Sequence, residues 1–493
     1  METMLVHYAS QSIPPEERIS LYLESEPRLT WTALFYSHFP QAEIFLVGGT
    51  LRDVLLGRLP QDIDLVIRHV EPPILERWLL QHGAAEFVGR FGTFKFVPHG
   101  CTSRLPIDIA LPRKEHLFDP TFHTAGRKSL DVRFDADLPI KEDLSRRDFT
   151  VNAMAYELRE HRLIDPFLGL QDLSAATLSA VLLPEQRFAE DATRMLRALR
   201  LASQLNFGIE ELTWRALKAN LNLLQNTTLN EHGKHIYVIP REMIGREFLL
   251  GFVAHPVHTI RLWLESRALH LFMPELAALE NMLEDDRESI LQKTFQTLQT
   301  LEKPTFLASY GVKHASPTLL LAGLFSFLED SVSTTAIRIC EDYYFHQFSR
   351  HHHANISCEE LFWLLEHLHD FQMIDPATMR PSKFESMFLS DRGRNLLMLM
   401  HATHIARDQH GVARERLLIA KRIREAMIGM AELQGSKDRL PRLLSGSHLK
   451  EMGIPPGPLY REVLDAIRDA QLAGKIQTPP QAEEMAKKYQ SEK

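Results

Sequence analysis

The stretch from Phe45 to Ile67 constrains the fold more than any other part of this chain. It reads Phe-Leu-Val-Gly-Gly-Thr-Leu-Arg-Asp-Val-Leu-Leu-Gly-Arg-Leu-Pro-Gln-Asp-Ile-Asp-Leu-Val-Ile. The apolar run Ile44–Val47 predicts a strand that ends at Gly48-Gly49, and Leu51–Leu56 has the pattern of a helix. Ile63–Ile67 predicts a second strand. Strand, glycine turn, helix and strand in close succession indicate a small sheet with helices packed on it.

The glycine turn and the residues after it suit a triphosphate. Glycines let backbone N–H groups approach an oxyanion without a Cβ in the way, and the N-terminus of the following helix attracts negative charge. Gly48 and Gly49 are therefore candidate phosphate-binding residues. Arg52 adds a planar guanidinium donor, and Asp53 beside it completes the candidate nucleotide-binding group of this segment.

Three aspartates are candidate catalytic residues. Asp62 and Asp64 stand two residues apart on the second predicted strand, so both side chains leave the same face of the sheet. Paired carboxylates can hold two Mg²⁺ ions that activate a 3′-hydroxyl and stabilise a leaving pyrophosphate. Asp108, on the predicted strand Ile107–Ala110, is the candidate third carboxylate. An isolated Asp-x-Asp pair is structural more often than catalytic, so the order of the neighbouring features carries the prediction.

A second polar group lies in the segment Ser145–Ala155. Alone, Arg146 and Arg147 next to Asp148 are typical of a surface salt bridge. Beside a triphosphate site, an arginine neutralises phosphate, and Asp148 and Asn152 can hydrogen-bond a ribose hydroxyl. We predict that all four contact the nucleotide.

The segment Phe188–Leu205 predicts one helix with Asp191, Arg194 and Arg197 along one side and Arg200 turned away from it. Charges at this spacing are typical of a solvated helix face. They also suit base recognition, because C and A both present an exocyclic amine beside a ring-nitrogen acceptor, whereas U and G present the reverse. A carboxylate with a guanidinium, here Asp191 with Arg194, therefore admits C and A and excludes U and G.

Taken in order, these motifs resemble the head and neck motifs of class II tRNA nucleotidyltransferases and the related bacterial poly(A) polymerases. The matching segments are Gly48-Gly49-x-x-Arg52-Asp53, Asp62-x-Asp64, Arg146-Arg147-Asp148-Phe149-Thr150-x-Asn152-Ala153, Asp165-Pro166-Phe167-x-Gly169, Glu190-Asp191-x-x-Arg194, Arg241-Glu242-x-Ile244-x-x-Glu247 and a tail from Leu444 to Gly474. The resemblance implies an α+β fold with a polymerase-β-like head of mixed sheet and helices, then an all-α neck, body and tail. It also implies Mg²⁺ dependence, CTP and ATP as substrates, and the 3′ end and acceptor arm of tRNA as partner. Gly49, Arg52, Arg146 or Arg147, Asp191, Arg194, Arg197 and Arg200 are implied at the nucleotide.

The resemblance and the change of pattern along the chain predict five segments. They are an N-terminal extension 1–40, a catalytic head 41–175, a neck 176–255, a helical body 256–410 and a tRNA-binding tail 411–493. The predicted helices after Pro184 are Phe188–Leu205, Arg241–Phe252, Thr259–Leu271, Ser289–Leu301 and Arg414–Leu433. The polar stretch Arg113–Asp137 is interpreted as a mobile loop.

Charge and composition narrow the class of protein. The net charge of −8 means that a nucleic-acid partner has to meet a local basic surface. Basic residues outnumber acids between Arg414 and Lys450, which is either an RNA-binding face or a solvated helix face. Three cysteines without a metal-site spacing, no secretory signal and no long apolar run predict a cytoplasmic protein without membrane segments.

Two further patterns are interpreted as lacking chemistry. Some relatives carry a His-Asp phosphohydrolase site in the body, but Leu319–Leu324 contains no such pair, so we predict no phosphohydrolase activity. His351–His353 near His346 indicates a polar loop or helix end rather than a metal site, because consecutive histidines point in different directions.

Three alternatives to full CCA addition stay open from the sequence. A general poly(A) polymerase is disfavoured because Val88–Phe96 is not the arginine-rich stretch that those enzymes usually carry. An enzyme that adds only the final A remains possible, and a CC-only enzyme fits less well because Arg113–Asp137 can supply a flexible loop. A non-catalytic RNA-binding remnant is disfavoured because it has no need of both Asp62 and Asp64.

Overall fold

The chain forms two compact units, Met1–Ala268 and Leu269–Lys493. The computed structural model describes residues 13–60, 62–88, 92–101, 103, 105–117, 130–229, 233–283, 289–328, 332–350, 356–370, 380–388, 390–407, 441–454 and 457–491. The predicted helix Arg414–Leu433, the triplet His351–His353 and the part of the predicted basic run Arg414–Lys450 that precedes residue 441 lie outside the described residues. Over the described residues, no helix is long and apolar enough to cross a membrane.

A seven-stranded mixed sheet organises the first unit, with the strand order β3-β4-β5-β2-β1-β8-β9. Its strands are β1 (Glu43–Val47), β2 (Ile63–Arg68), β3 (Gly83–Val88), β4 (Thr93–Pro98), β5 (Ile107–Ala110), β8 (Ala155–Glu157) and β9 (Arg162–Ile164). Neighbours are antiparallel except β2 and β5, which run parallel. Strand β1 is buried from Ile44 to Val47, so its sequence is a continuous apolar run, whereas the half-buried Asp64 and Asp108 interrupt the apolar residues of β2 and β5. The predicted strands at 44–47, 63–67 and 107–110 are confirmed.

Helices cover this sheet and continue beyond it. They are α1 (Pro15–Ser25), α2 (Thr32–His38), α3 (Gly48–Leu55), α4 (Pro72–His82), α5 (Ile140–Ser145), α6 (Gly169–Ser174), α7 (Pro184–Glu190), α8 (Thr193–Leu205), α9 (Glu211–Asn220), α10 (Arg241–Ala254) and α11 (Pro256–Glu265). The N-terminal segment packs onto the head: Trp31 and Phe35 contact Trp78 of α4, and Arg18 donates to the carbonyl of Leu55 at the C-terminus of α3, 2.7 Å away.

The predicted mobile loop Arg113–Asp137 is partly wrong. Its ends pair as antiparallel strands, β6 (Arg113–Leu117) and β7 (Leu130–Phe134), while 118–129 lie outside the described residues. The pairing joins two short stretches across a long polar insertion. Local apolar periodicity carries no sign of such a non-local contact.

The prediction of an all-α neck also needs correction. Short strands β10 (Thr177–Leu178) and β11 (Gly208–Ile209) pair in parallel, and β12 (Thr227–Leu229) forms an antiparallel hairpin with β13 (His235–Tyr237). The predicted single helix 188–205 is broken between α7 and α8, where Asp191 has an extended backbone, φ −149° and ψ 97°. Its side chain accepts hydrogen bonds from the backbone N–H and hydroxyl of Thr193, a local arrangement that competes with helix continuation.

The described part of the second unit is helical. Its helices are α12 (Ala268–Phe272), α13 (Pro274–Ala278), α14 (Ile290–Glu302), α15 (Pro304–Ala308), α16 (Pro317–Phe325), α17 (Val332–Asp342), α18 (Cys358–Asp370), α19 (Pro381–Phe388), α20 (Asp391–Arg407), α21 (Gly446–Glu451), α22 (Pro458–Leu472) and α23 (Pro479–Ser491). The predicted helix 259–271 is interrupted after α11, because Arg267 adopts a left-handed backbone with φ 72°. The predicted helix 289–301 is confirmed as α14.

Candidate active site

A polar cleft in the first unit brings most of the predicted site residues together. The predicted residues that line it are Gly48, Gly49, Asp64, Asp108, Arg146, Arg147, Asp148, Asn152, Asp191, Arg194 and Arg197. Asp62, Arg52, Asp53 and Arg200 are not among its lining residues. The cleft therefore runs from the end of β1, over the faces of β2 and β5, to the start of α8.

The glycine turn is built as the sequence predicts. Val47 ends β1 in an extended conformation, and Gly48 follows with φ 66°, a left-handed conformation that glycine adopts without a steric penalty. A Cβ at Gly48 would lie 3.1 Å from Nη1 of Arg147 and 3.2 Å from Oδ2 of Asp64. The absent side chain thus leaves room between a guanidinium and a carboxylate at the N-terminus of α3.

Thr50, which sequence reasoning missed, fixes the backbone between the two predicted metal ligands. Its buried hydroxyl donates to the carbonyl of Asp62, 3.1 Å away, and accepts from the backbone N–H of Asp64 at 2.8 Å. Asp62 is exposed and precedes β2, so the prediction that both aspartates lie on the strand is wrong by one residue. Asp64 alone of the pair is on β2.

Asp64 and Asp108 lie side by side on the adjacent strands β2 and β5. They are partners in the parallel register of β2 and β5, so both side chains leave the same face. Burial, reinforced by the charges of Asp108 and Asp62 and opposed by Arg147, raises the pKa of Asp64 to about 6. Lys95, which was not predicted, is the register partner of Asp108 on β4 and lies 2.9 Å from its Oδ1.

Asp143 organises the arginine pair of the second motif. Its side chain is completely buried and accepts from Nε and Nη2 of Arg146 at 3.0 and 2.7 Å, while Nη2 of Arg147 lies 3.4 Å away. Burial alone would raise the pKa of Asp143, but the charges of Arg146 and Arg147 outweigh it and lower the pKa. Asp143 belongs to α5, upstream of the motif, so its role was not visible from the motif's spacing.

A continuous series of hydrogen bonds links α3 to α8. Arg52 pairs with Asp53 and donates from Nη1 to Oδ1 of Asn152 at 2.7 Å. The amide of Asn152 donates to Oδ1 of Asp148 at 3.1 Å, and Arg197 donates from Nε to Oδ2 of Asp148 at 2.8 Å. Burial would raise the pKa of Asp148, but Arg197 and Asn152 outweigh it and hold that pKa well below its usual range.

Asp191 and Arg194 line the same cleft as the carboxylates. Both are buried, with 2% and 7% of their surface exposed. Arg194 donates to the backbone carbonyl of Arg146 at 2.7 Å and lies 3.1 Å from Oε2 of Glu190. The prediction that both residues stand on one helix is wrong for Asp191, but the break before α8 still leaves the carboxylate and the guanidinium in the same cleft.

Arg200 lies on α8 with Arg194, but its side chain forms an ion pair outside the cleft. Its Nε donates to Oε2 of Glu247 on α10 at 2.6 Å. The turn of the helix away from Arg194 therefore carries it to the interface between α8 and α10, as the predicted drift around the helix suggested. Thr93 and Arg113 also line the cleft and were not predicted. Arg113 is the first residue of β6, three residues after the end of β5, and a basic residue so soon after the strand of Asp108 was the signal available in the sequence.

Comparison with known proteins agrees with this geometry. Residues 44–179 match the family described as the poly A polymerase head domain. The chain is 37% identical over 217 residues to the CCA-adding enzyme of Lactococcus lactis subsp. cremoris, which covers 42% of this chain and 48% of the relative. It is 33% identical over 243 residues to the CCA-adding enzyme of Lactobacillus helveticus, covering 49% and 54%. The matches span about half the length of these curated relatives.

Solved structures resemble the chain over most of its length. The Thermotoga maritima CCA-adding enzyme complexed with tRNA matches with a TM-score of 0.55 and 21% identity, covering 96% of this chain and 98% of that one. The Bacillus stearothermophilus CCA-adding enzyme in complex with CTP matches with a TM-score of 0.57 and 20% identity, covering 95% and 99%. The predicted α+β head followed by helical segments, and the predicted family resemblance, are confirmed. The five-segment division stays a prediction.

Proposed function

We propose that this chain, whose residues 44–179 carry a poly A polymerase head domain, adds C and A nucleotides to the 3′ end of tRNA from CTP and ATP. The observation that carries the proposal is the composition of the cleft. The same cleft is lined by a glycine turn with two neighbouring carboxylates, here called the phosphate and carboxylate end, and by the buried pair Asp191 and Arg194, here called the base end. The curated relatives named as CCA-adding enzymes support the same activity.

The phosphate end of the cleft suits nucleotidyl transfer. The N-terminus of α3 and the guanidinium of Arg147 offer positive potential for a triphosphate, with Gly48 leaving space between Arg147 and Asp64. The RNA 3′-hydroxyl oxygen bonds to the α-phosphorus and releases its proton to solvent, while the bond between that phosphorus and the oxygen bridging to the β-phosphorus breaks and pyrophosphate leaves. Arg146 and Arg147, both tied to Asp143, hold the charge of the departing phosphates.

A divalent cation, which we propose is Mg²⁺, fits the carboxylate end. Asp64 is a buried carboxylate whose pKa is raised to about 6 by burial and by the like charges of Asp108 and Asp62, so a cation would relieve that repulsion. Within the described residues, no three acidic, histidine or cysteine side chains are already arranged as a ligand set. Asp64 with Asp108 would hold the ion, and Asp62 would join them from the exposed turn. Such an ion supplies Lewis-acid activation of the hydroxyl and charge stabilisation for the leaving group.

The base end of the cleft gives the choice of nucleotide. A carboxylate accepts from the exocyclic amine of C or A, and a guanidinium donates to the ring nitrogen beside it. Asp191 and Arg194 supply these groups, and U or G would leave buried donors and acceptors unpaired. Asp148 and Asn152 lie between the two ends, where a ribose would sit, and Arg197 orients Asp148.

Several features extend the proposal to the whole protein. The three cysteines are free thiols, in keeping with the reducing cytoplasm that we propose as the location of the enzyme.

The described tail from 441 to 491 has its own apolar core around Leu449, Val463 and Ala486, and the buried pair Arg468–Glu385 joins it to α19. We propose that this tail contacts tRNA.

Incubation with defined RNA ends tests the proposed function. Purified protein is given Mg²⁺, labelled CTP or ATP, and tRNAs that end before the first C, before the final A, or at the complete CCA. Addition of CCA to the first and of A to the second is expected, with no extension of the third. Addition of A to any RNA without C would assign a poly(A) polymerase instead. Addition of only the final A would assign an A-adding enzyme, and no transfer at all would contradict the proposal. Asp64→Asn is the inactive control.

A further inference from the structure

The β12–β13 hairpin exposes an aromatic and basic surface that the cleft does not use. His235, Ile236 and Tyr237 on β13 are all exposed, and the Tyr237 ring keeps 46% of its surface accessible. A two-stranded hairpin with both faces in water is marginally stable by itself. The exposed side chains of β13 therefore add little packing to this hairpin and are available for another molecule to bind.

The charge of this surface is positive. Lys234 and Arg241 carry positive charge on this surface, and Glu242 is the acid next to them in the sequence. The guanidinium of Arg241 lies over the ring of Tyr237, 5.4 Å from its centroid. An arginine stacked on an exposed tyrosine holds the ring in one orientation and leaves its other face open to a planar group.

Helix α10, which follows the hairpin, begins close to the base end of the cleft, so the hairpin surface lies near Asp191 and Arg194. Glu247 on α10 bonds to Arg200 on α8 and also raises the pKa of Arg197, one turn earlier, whereas a Cβ at Gly251 would lie 3.3 Å from Cβ of Ser203 and 3.5 Å from Cα of Arg200. Moving along α10 from 247 to 251 therefore moves along α8 in the same direction, so the two helices run parallel. Arg241 stands six residues before Glu247, roughly 9 Å along the axis. That places the start of α10 beside the start of α8, next to Asp191 and Arg194.

We propose that the hairpin surface, defined as Lys234, His235, Tyr237 and Arg241, binds the single-stranded 3′ end of the RNA substrate as it approaches the cleft. Tyr237 stacks on a base, a contact that tolerates any sequence because every base has a π-face. Lys234 and His235 contact the phosphate backbone beside it. The inference rests on the proposed function, since it assigns a binding surface to the same RNA.

Binding measured without catalysis tests the surface. The wild type and Tyr237→Ala are titrated into a labelled single-stranded RNA ending in CC, and fluorescence anisotropy gives the Kd. Loss of one stacking contact raises the Kd about fivefold or more, and Tyr237→Phe restores wild-type binding. Lys234→Ala flattens the dependence of log K on log salt by about 0.7, the change expected for one phosphate contact to a single strand. Leu212→Ala, another exposed apolar residue in the same unit, is the matched control and leaves the Kd unchanged.

Transfer kinetics separate this inference from the proposed function. Tyr237→Ala raises KM for tRNA and leaves KM for CTP and ATP unchanged. An unchanged Kd for RNA, an equal rise in both KM values, or weakened binding by Tyr237→Phe would overturn the inference. If the wild type binds RNA through Tyr237 but transfers no nucleotide, the proposed function fails and the binding surface stands.

Discussion

Asp64 on β2 lies directly opposite Asp108 on β5 in a parallel register, and Lys95 on β4 is the only described lysine paired with Asp108. The two carboxylates therefore differ in their surroundings. Burial and like charges raise the pKa of Asp64 even though Arg147 lies near it, whereas Asp108 pairs directly with Lys95 at 2.9 Å. Of the two, Asp64 has more to gain from a divalent cation.

Asp64→Asn is expected to lower kcat by at least about 100-fold while the protein stays folded. The neutral amide removes a buried like charge, so the melting temperature is expected to stay level or to rise. Steady-state transfer assays and thermal unfolding measure the two effects. Asp137→Asn, whose side chain is 80% exposed, is the control with unchanged kcat. Full activity of Asp64→Asn would remove Asp64 from the mechanism.

Gly48→Ala is expected to impair both stability and catalysis. Any side chain at φ 66° costs about 1–2 kcal/mol, and the new Cβ also meets Arg147 and Asp64 at 3.1 and 3.2 Å. Displacing those groups is expected to lower kcat/KM by about 100-fold. Gly100→Ala separates the two effects, because Gly100 has φ 75° and nothing within 4 Å of a Cβ. A similar loss of stability in both variants, with catalysis lost only in Gly48→Ala, is the expected result. Equal catalysis in both would contradict a role for this space.

Arg194→Ala is expected to relax the choice of base more than it weakens binding of the triphosphate. The ratio of kcat/KM for CTP and ATP to that for UTP and GTP is expected to fall about tenfold or more, because the guanidinium that donates to the ring nitrogen of C or A is removed. Arg194 also supports the carbonyl of Arg146, so some loss of thermal stability accompanies the change. Arg200→Ala, on the same helix and outside the cleft-lining residues, also breaks an ion pair and is expected to keep the base preference. Retained C and A selectivity in Arg194→Ala would exclude the template role.

Acid is expected to weaken the arginine pair through Asp143. The pKa of Asp143 is lowered in the folded protein, since Arg146 and Arg147 outweigh its burial. Its contribution to folding is therefore complete above the unfolded-state pKa of about 3.9 and is lost as pH falls through the lower folded-state value.

The unfolding free energies of the wild type and Asp143→Asn, measured from pH 7 downwards, test this. The wild type is expected to be more stable at neutral pH, and the difference is expected to shrink below about pH 4. Asp391→Asn, with a side chain that is 92% exposed, is expected to show a much smaller difference throughout. A gap for Asp143→Asn that does not change with pH would contradict the ion-pair explanation.

Sequence patterns predicted the parts of the site that depend on local structure. The apolar residues of β1, β2 and β5 are buried, so Gly48 could be assigned to a strand end and Asp64 and Asp108 to strand faces. Asp62 was placed on the strand because the pattern does not reveal that Thr50 holds the preceding turn against α3. Asp191 was placed on a helix because the periodicity continues through it, although its side chain bonds locally to Thr193.

The partners that come from distant segments were not predictable. Lys95 reaches Asp108 only through the register of β4 with β5, and Asp143 meets both arginines only because α5 ends beside them. The long polar insertion hid the pairing of β6 with β7 for the same reason. Contacts between residues far apart in sequence depend on the assembled sheet, which periodicity does not encode.

The series of bonds from Arg52 through Asn152 and Asp148 to Arg197 has a mechanical consequence. It fastens α3, which we propose lies beneath the phosphates, to α8, which we propose selects the base, so neither helix can tilt independently without separating hydrogen-bonded charged groups. An enzyme that accommodates first a pyrimidine and then a larger purine would have to adjust by turning the side chains of Asp191 and Arg194, or by carrying both helices together. The two linked helices would keep the same arrangement with both nucleotides, and only the side chains of Asp191 and Arg194 would change conformation.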